Sequence, residues 1–183
     1  MSGAPVEAVP NGNQANVPAE RVSAALSVRD EDTVAQLKEL GVELHPVARV
    51  GVEASAGEGA VVYAEDELEE VAEWLPARYI REQYKVPPDR VKRMLVRGNS
   101  MRGTIDEGQE VRVALWRGEP LHHGWIYVLH GPFGIIIKRL WLRKDHIILH
   151  SDNPEEDDEQ VSGDEFEEQY RVVAWLLEVI EPL

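Results

Sequence analysis

The chain predicts a mostly β protein carrying a short helical arm at its N-terminal end. Three features of the sequence predict this. Apolar and polar residues alternate over 109–116, where Val111, Val113 and Leu115 face one way and Arg112 the other, as in a half-buried strand. Two apolar runs, 125–130 and 134–142, are joined across Gly131-Pro132-Phe133-Gly134 and read as a hairpin. Residues 170–180 form a nearly unbroken apolar run of the kind found in a strand buried on both faces or in a dimer interface.

The elements follow in order. Residues 1–17 are Gly, Pro, Asn, Gln and Ala without period or aromatic residue, and read as a disordered tail. Residues 18–45 form the helical arm. Pro18 opens a first helix with Val22, Ala25 and Leu26 on one stripe. Asp32 caps a second, with Val34, Leu37 and Leu40 as its stripe and Gly41 as its stop. Residues 46–183 form the main domain. It opens at His45-Pro46 with a strand that runs up to Val52 and gives way to a loop of small residues. Leu68, Val71, Trp74 and Leu75 recur at helical spacing as far as Pro76, so part of 64–90 is expected to be helical. Strands are expected over 91–97 and 145–150. Nine of the fourteen residues over 155–168 are acidic, which predicts a solvated loop.

Composition narrows the function. A hydrophobic content of 43% over 183 residues supports a real core. The chain has no cysteine, which removes disulfides and thiolate metal sites and fits a reducing cytoplasm. No apolar run is long enough for a bilayer helix, and no basic start leads into an apolar stretch, so neither a membrane anchor nor a signal peptide is expected. A net charge of −15 opposes phosphate backbones. The two arm helices do not make a DNA-reading pair, since the second carries Asp32 and Glu39 against a single Lys38. DNA binding by this chain alone is therefore not expected. His122 and His123 lack a third nearby ligand, so no metal and no cofactor is expected.

Two short stretches carry the chemistry. Gly98-Asn99-Ser100-Met101 sets a serine in a glycine-flanked turn just after an apolar strand. Lys138 follows 38 residues later, inside Ile135-Ile136-Ile137-Lys138-Arg139-Leu140. An amine held among isoleucines favours its neutral form, and a neutral amine can take a serine proton. The pairing predicts a Ser-Lys nucleophile with Ser100 and Lys138 as catalytic residues.

The run Gly98-Asn99-Ser100-Met101-Arg102-Gly103-Thr104-Ile105-Asp106-Glu107-Gly108 resembles the nucleophile motif of LexA-like self-cleaving regulators, whose usual wording is Gly-Asp-Ser-Met-x-Pro-Thr-Ile-x-x-Gly-Asp. Trp125-Ile126-Tyr127-Val128-Leu129, Ile137-Lys138-Arg139-Leu140 and Ser151-Asp152-Asn153-Pro154 resemble the later landmarks, in the family's order and spacing. The resemblance covers roughly residues 46 to 181. It implies the LexA-like, signal-peptidase-like β fold. It implies an oxyanion hole made by the backbone N–H groups of Asn99 and Ser100, and a scissile bond at Ala56-Gly57 in the small-residue loop. A homodimer, a RecA-like activating partner and a role in transcriptional, SOS or lysogeny control are implied with it. The layout, an arm ahead of a protease-like domain, resembles UmuD more than a full-length repressor.

Asn99, Gly103 and Gln109 depart from the usual Asp, Pro and Asp, whereas Ser100 and Lys138 are kept. The departures put the shape of the turn in question. The main expectation is a self-cleaving regulator. Its alternative is a catalytically inactive dimerisation module that controls transcription through a partner. A third reading is cleavage of another chain.

Overall fold

A computed structural model of the chain describes residues 27–50 and 71–180. The tail over 1–17, the first expected helix and the bond Ala56-Gly57 lie outside these residues. Helix α1 spans Glu31–Glu39. Its cap is Asp30, whose Oδ2 accepts from Thr33 N at 2.8 Å, not the expected Asp32. A hydrogen bond to the third helical N–H needs the acceptor three residues earlier, and only Asp30 stands there. Gly41 ends the turn at φ 79°.

Nine strands form one sheet: β1 (Leu44–Val50), β2 (Val71–Pro76), β3 (Val91–Leu95), β4 (Glu110–Leu115), β5 (Ile126–Gly131), β6 (Gly134–Leu142), β7 (Ile147–His150), β8 (Glu159–Val161) and β9 (Arg171–Ile180). Their order is β2-β1-β3-β4-β9-β5-β6-β7-β8. Every pairing is antiparallel except that of β1 with β3. The mostly β expectation holds, and the expected hairpin is β5–β6, paired from Ile126 opposite Arg139 to Gly131 opposite Gly134. β1 begins at Leu44, ahead of the expected domain start at residue 46.

Strand side chains point alternately to the two faces of a sheet. In β5, Tyr127 and Leu129 join one buried cluster, and Ile126 and Val128 join the other. In β9, Trp175 and Leu177 serve the first and Leu176 the second. Val173 and Ala174 both serve the second, because the β5–β9 register shifts beside them. A strand that feeds two cores must be apolar on both sides, which accounts for the unbroken run at the C-terminal end. Among the described residues no helix is long and apolar enough to cross a membrane.

Three expectations are corrected. The segment with Val71, Trp74 and Leu75 at helical spacing is strand β2. Its inward positions are Glu73 and Leu75, so a carboxylate fills one apolar slot and hides the alternation. Helix α2 (Ala77–Tyr79) follows Pro76 and runs on into a wider turn at Ile80–Tyr84. The acidic run is not a plain loop either. It holds β8 and helix α3 (Gly163–Gln169), anchored by buried Val161 and Phe166. Ser162 and Glu165 cap α3 reciprocally, and its first-turn acids suit the positive end of the helix dipole. Arg112 was expected to face outward from β4, and it is buried.

Arg112 is buried because its partners are. Its guanidinium grips Glu73 through Nε and Nη2, both at 2.6 Å, and also bonds Glu178. Glu73, 1% exposed, lies 3.6 Å from Arg93 as well. Arg93 bonds Glu110, which reaches Arg49 at 2.9 Å. The chain of charges crosses β2, β4, β9, β3 and β1. Burial pushes the Glu73 carboxyl up, but Arg112 more than reverses this and leaves it below the ordinary glutamate value. A carboxylate with a lowered pKa stabilises the fold fully above the ordinary value and ceases to do so as pH falls through the lower one. Glu73→Ala is expected to cost about 3–5 kcal/mol in urea unfolding, since it strands a buried guanidinium. With Glu73→Gln, the deficit relative to the parent should shrink as the pH is taken below about 4.

Candidate active site

The serine turn is an excursion between β3 and β4, closed at its neck by Val96 N to Gln109 O at 2.8 Å and Gly108 N to Val96 O at 3.0 Å. Met101 and Ile105 anchor it, both buried in the second cluster. Gly98 opens the turn at φ 89°, a left-handed conformation that glycine adopts without strain. Ser100 follows, its Oγ donating to Ile137 O at 3.1 Å.

Lys138 is the next residue along β6, opposite Tyr127 of β5. Its side chain is 14% exposed. Its Nζ donates to Ser151 Oγ at 2.6 Å and stands 3.6 Å from Glu156 Oε2. The amine therefore has a buried hydroxyl and a carboxylate beside it, and is not surrounded by isoleucine alone.

The segment Ser151-Asp152-Asn153 ties the two together. Asn153 N donates to Ser100 O at 3.0 Å. Asp152 accepts from Thr104 Oγ1 at 2.6 Å and from Arg139 Nε and Nη2 at 2.9 and 2.6 Å. Burial pushes the Asp152 carboxyl up, and Arg139 and Thr104 more than offset it, holding it below the ordinary aspartate value.

Ser100 and Lys138 line one cleft of about 440 Å³, together with Asn99, Gly98, Met94, Leu95, Ile135 and Ile136. Arg49 and Val50, at the end of β1, line it too, so the segment over 51–70 leaves from the cleft wall. Among the described residues neither Asn99 N nor Ser100 N has a hydrogen-bond acceptor. His122 and His123 lie elsewhere: His122 packs on Trp125 at 4.2 Å, and His123 Nδ1 accepts from Leu142 N at 3.1 Å. Among the described residues no three His, Asp or Glu side chains converge to hold a metal.

Residues 47–177 match the family model described as Peptidase S24-like. The chain belongs to the Peptidase S24-like family. Comparison with curated proteins finds no match. Membership covers all of the cleft but says nothing about which side chains react.

Sequence reading of this S24-like chain missed Ser151 and Glu156. The signal for Ser151 was its place at the head of the fourth landmark. Glu156 had none, because it sits in an acidic run that looked uniformly solvated. The turn also departs from the family's usual wording in a way that now has a geometry. Gly103 stands at φ 97° and its N–H points to Asp106 Oδ1 at 3.4 Å. Proline fixes φ near −65° and has no N–H, so the usual proline does not fit this turn. Restoring it with Gly103→Pro is expected to lower stability by more than about 1 kcal/mol in urea unfolding.

Proposed function

We propose that this S24-like chain is a self-cleaving regulator, with Ser100 as nucleophile, Lys138 as general base and Ala56-Gly57 as the bond cut. The observation that carries the reading is that Ser100, Lys138 and Val50 line one cleft. Ala56 lies six positions beyond Val50, a tether of up to about 20 Å, ample for delivery in cis. Holding the bond on the same chain supplies proximity that a free peptide lacks.

In this mechanism the Ser100 hydroxyl turns from Ile137 O and attacks the Ala56 carbonyl carbon. Neutral Lys138 takes the hydroxyl proton as the Oγ–C bond forms. The carbonyl oxygen, now negative, is held by the N–H groups of Asn99 and Ser100. The C–N bond then breaks, and Lys138 passes its proton to the Gly57 nitrogen. Water attacks the Ser100 ester, giving a proton to Lys138; the C–Oγ bond breaks, Lys138 returns that proton to Ser100 Oγ, and the Ala56 carboxyl is released. Ser151 accepts a hydrogen bond from the amine and steadies it between steps. The chain acts, in this reading, as a homodimer in the cytoplasm in transcriptional or stress control, with a RecA-like filament as the signal that promotes the reactive arrangement.

Glu156 favours a second reading. A carboxylate 3.6 Å from Nζ offers the amine a partner other than the serine. With Asn99 and Gly103 altered as well, the chain would then be an inactive dimerisation module that works through a partner. The two readings separate at alkaline pH, where lysine loses its proton. On incubation at pH 10, intact-mass measurement should show two fragments split after residue 56. Ser100→Ala and Lys138→Ala should each slow this at least about 100-fold. Protein that stays whole with its fold retained would leave the second reading standing.

A further inference from the structure

We infer that cutting the 51–70 connection leaves a stable two-fragment complex, in which the slot between β2 and β3 keeps residues 27–50 in place. The idea rests on the self-cleavage reading for its biological meaning, but the grip itself is independent of who makes the cut.

The topology makes the case. Any cut within 51–70 puts β1 on one fragment and β2 on the other. β1 is an inner strand, antiparallel to β2 on one side and parallel to β3 on the other. β2 has no other strand neighbour. Losing β1 would bare hydrogen-bonding edges on both β2 and β3, and unpaired backbone groups are costly where water is scarce. It would also bare Val47, which is fully buried.

Further ties cross the same boundary. Glu43 accepts two bonds from Arg81, at 3.0 and 2.9 Å, and its carbonyl accepts from Ala77 N at 2.8 Å. Arg49 reaches Glu110 at 2.9 Å. Trp74 exchanges both backbone bonds with Val28, at 3.0 and 2.7 Å, and carries Lys38 Nζ 4.0 Å over its ring. The arm thus docks through a strand, a bridge, a cation on an aromatic face and two ion pairs. Cleavage would free two chain ends without shedding the arm.

The test uses full-length chain with Ser100→Ala, so that its own chemistry plays no part. Residues 57–62 are replaced by the recognition sequence of a site-specific protease, the chain is cut, and native mass spectrometry and size-exclusion chromatography follow. One species containing both fragments, separable only with denaturant, is the expected result. A small fragment eluting on its own from the cut protein would overturn the inference, whether or not the parent cleaves itself at pH 10. Val47→Asp, after its uncut form is checked for folding, and the exposed Arg81→Ala should both lower the urea concentration that releases the fragment. Release midpoints equal to the parent's in every variant that folds would overturn the assigned slot.

Discussion

Asp152 fixes where the serine lies relative to the lysine. One of its oxygens takes Thr104 from the serine turn, and both take Arg139 from the strand that carries Lys138. The pair is nearly buried, so each charge has given up most of its water and depends on the other. Charge-assisted, two-point contacts of this kind fix orientation as well as distance. Asn153 completes the join by donating its N–H to the carbonyl of Ser100 itself. Three stretches far apart in the chain are thereby held as one rigid wall of the cleft.

The β1 side of the cleft, lined by Arg49, is tied to a second set of charges. Glu73, Arg112, Glu178, Arg93, Glu110 and Arg49 run from the β2 edge through the sheet to the end of β1. Such a network is a weak source of net stability, because desolvation consumes most of the attraction. It does specify register. If β2 slid by one residue against β1, Glu73 would turn to the other face and leave Arg112 buried without its carboxylate. Three of the chain's glutamates, Glu73, Glu110 and Glu178, thus have a structural use inside the sheet.

This is also where sequence reading reached its limit. Strands that alternate simply, or that are apolar throughout, were legible, as were the hairpin and the placement of Ser100 and Lys138 on a common cleft. β2 was not, because a strand whose buried position is a glutamate has no apolar alternation to read, and its arginine lies 39 residues away in the chain. Arg112 failed for the same reason seen from the other side. α3 was legible in principle from Ser162 and Glu165, but the acidic run around it masked the capping pattern. Glu156 could be placed beside Lys138 only by the fold, since a run of like residues gives no clue to which one turns inward.

The length of the connection over 51–70 bears on both parts of the cleft. β1 and β2 are paired neighbours, Ala48 standing opposite Val71, and such strands are usually joined by two to five residues. Here twenty residues are spent on the join, and they depart from Val50 on the cleft wall. A short hairpin could not reach across the cleft to Ser100 without pulling β1 from the sheet. Twenty residues span far more than the gap between two paired strands, so the proposed delivery of Ala56-Gly57 to Ser100 leaves β1 and β2 free to stay paired. In the proposed reaction neither the Asp152 contacts nor the β1–β2 pairing has to break.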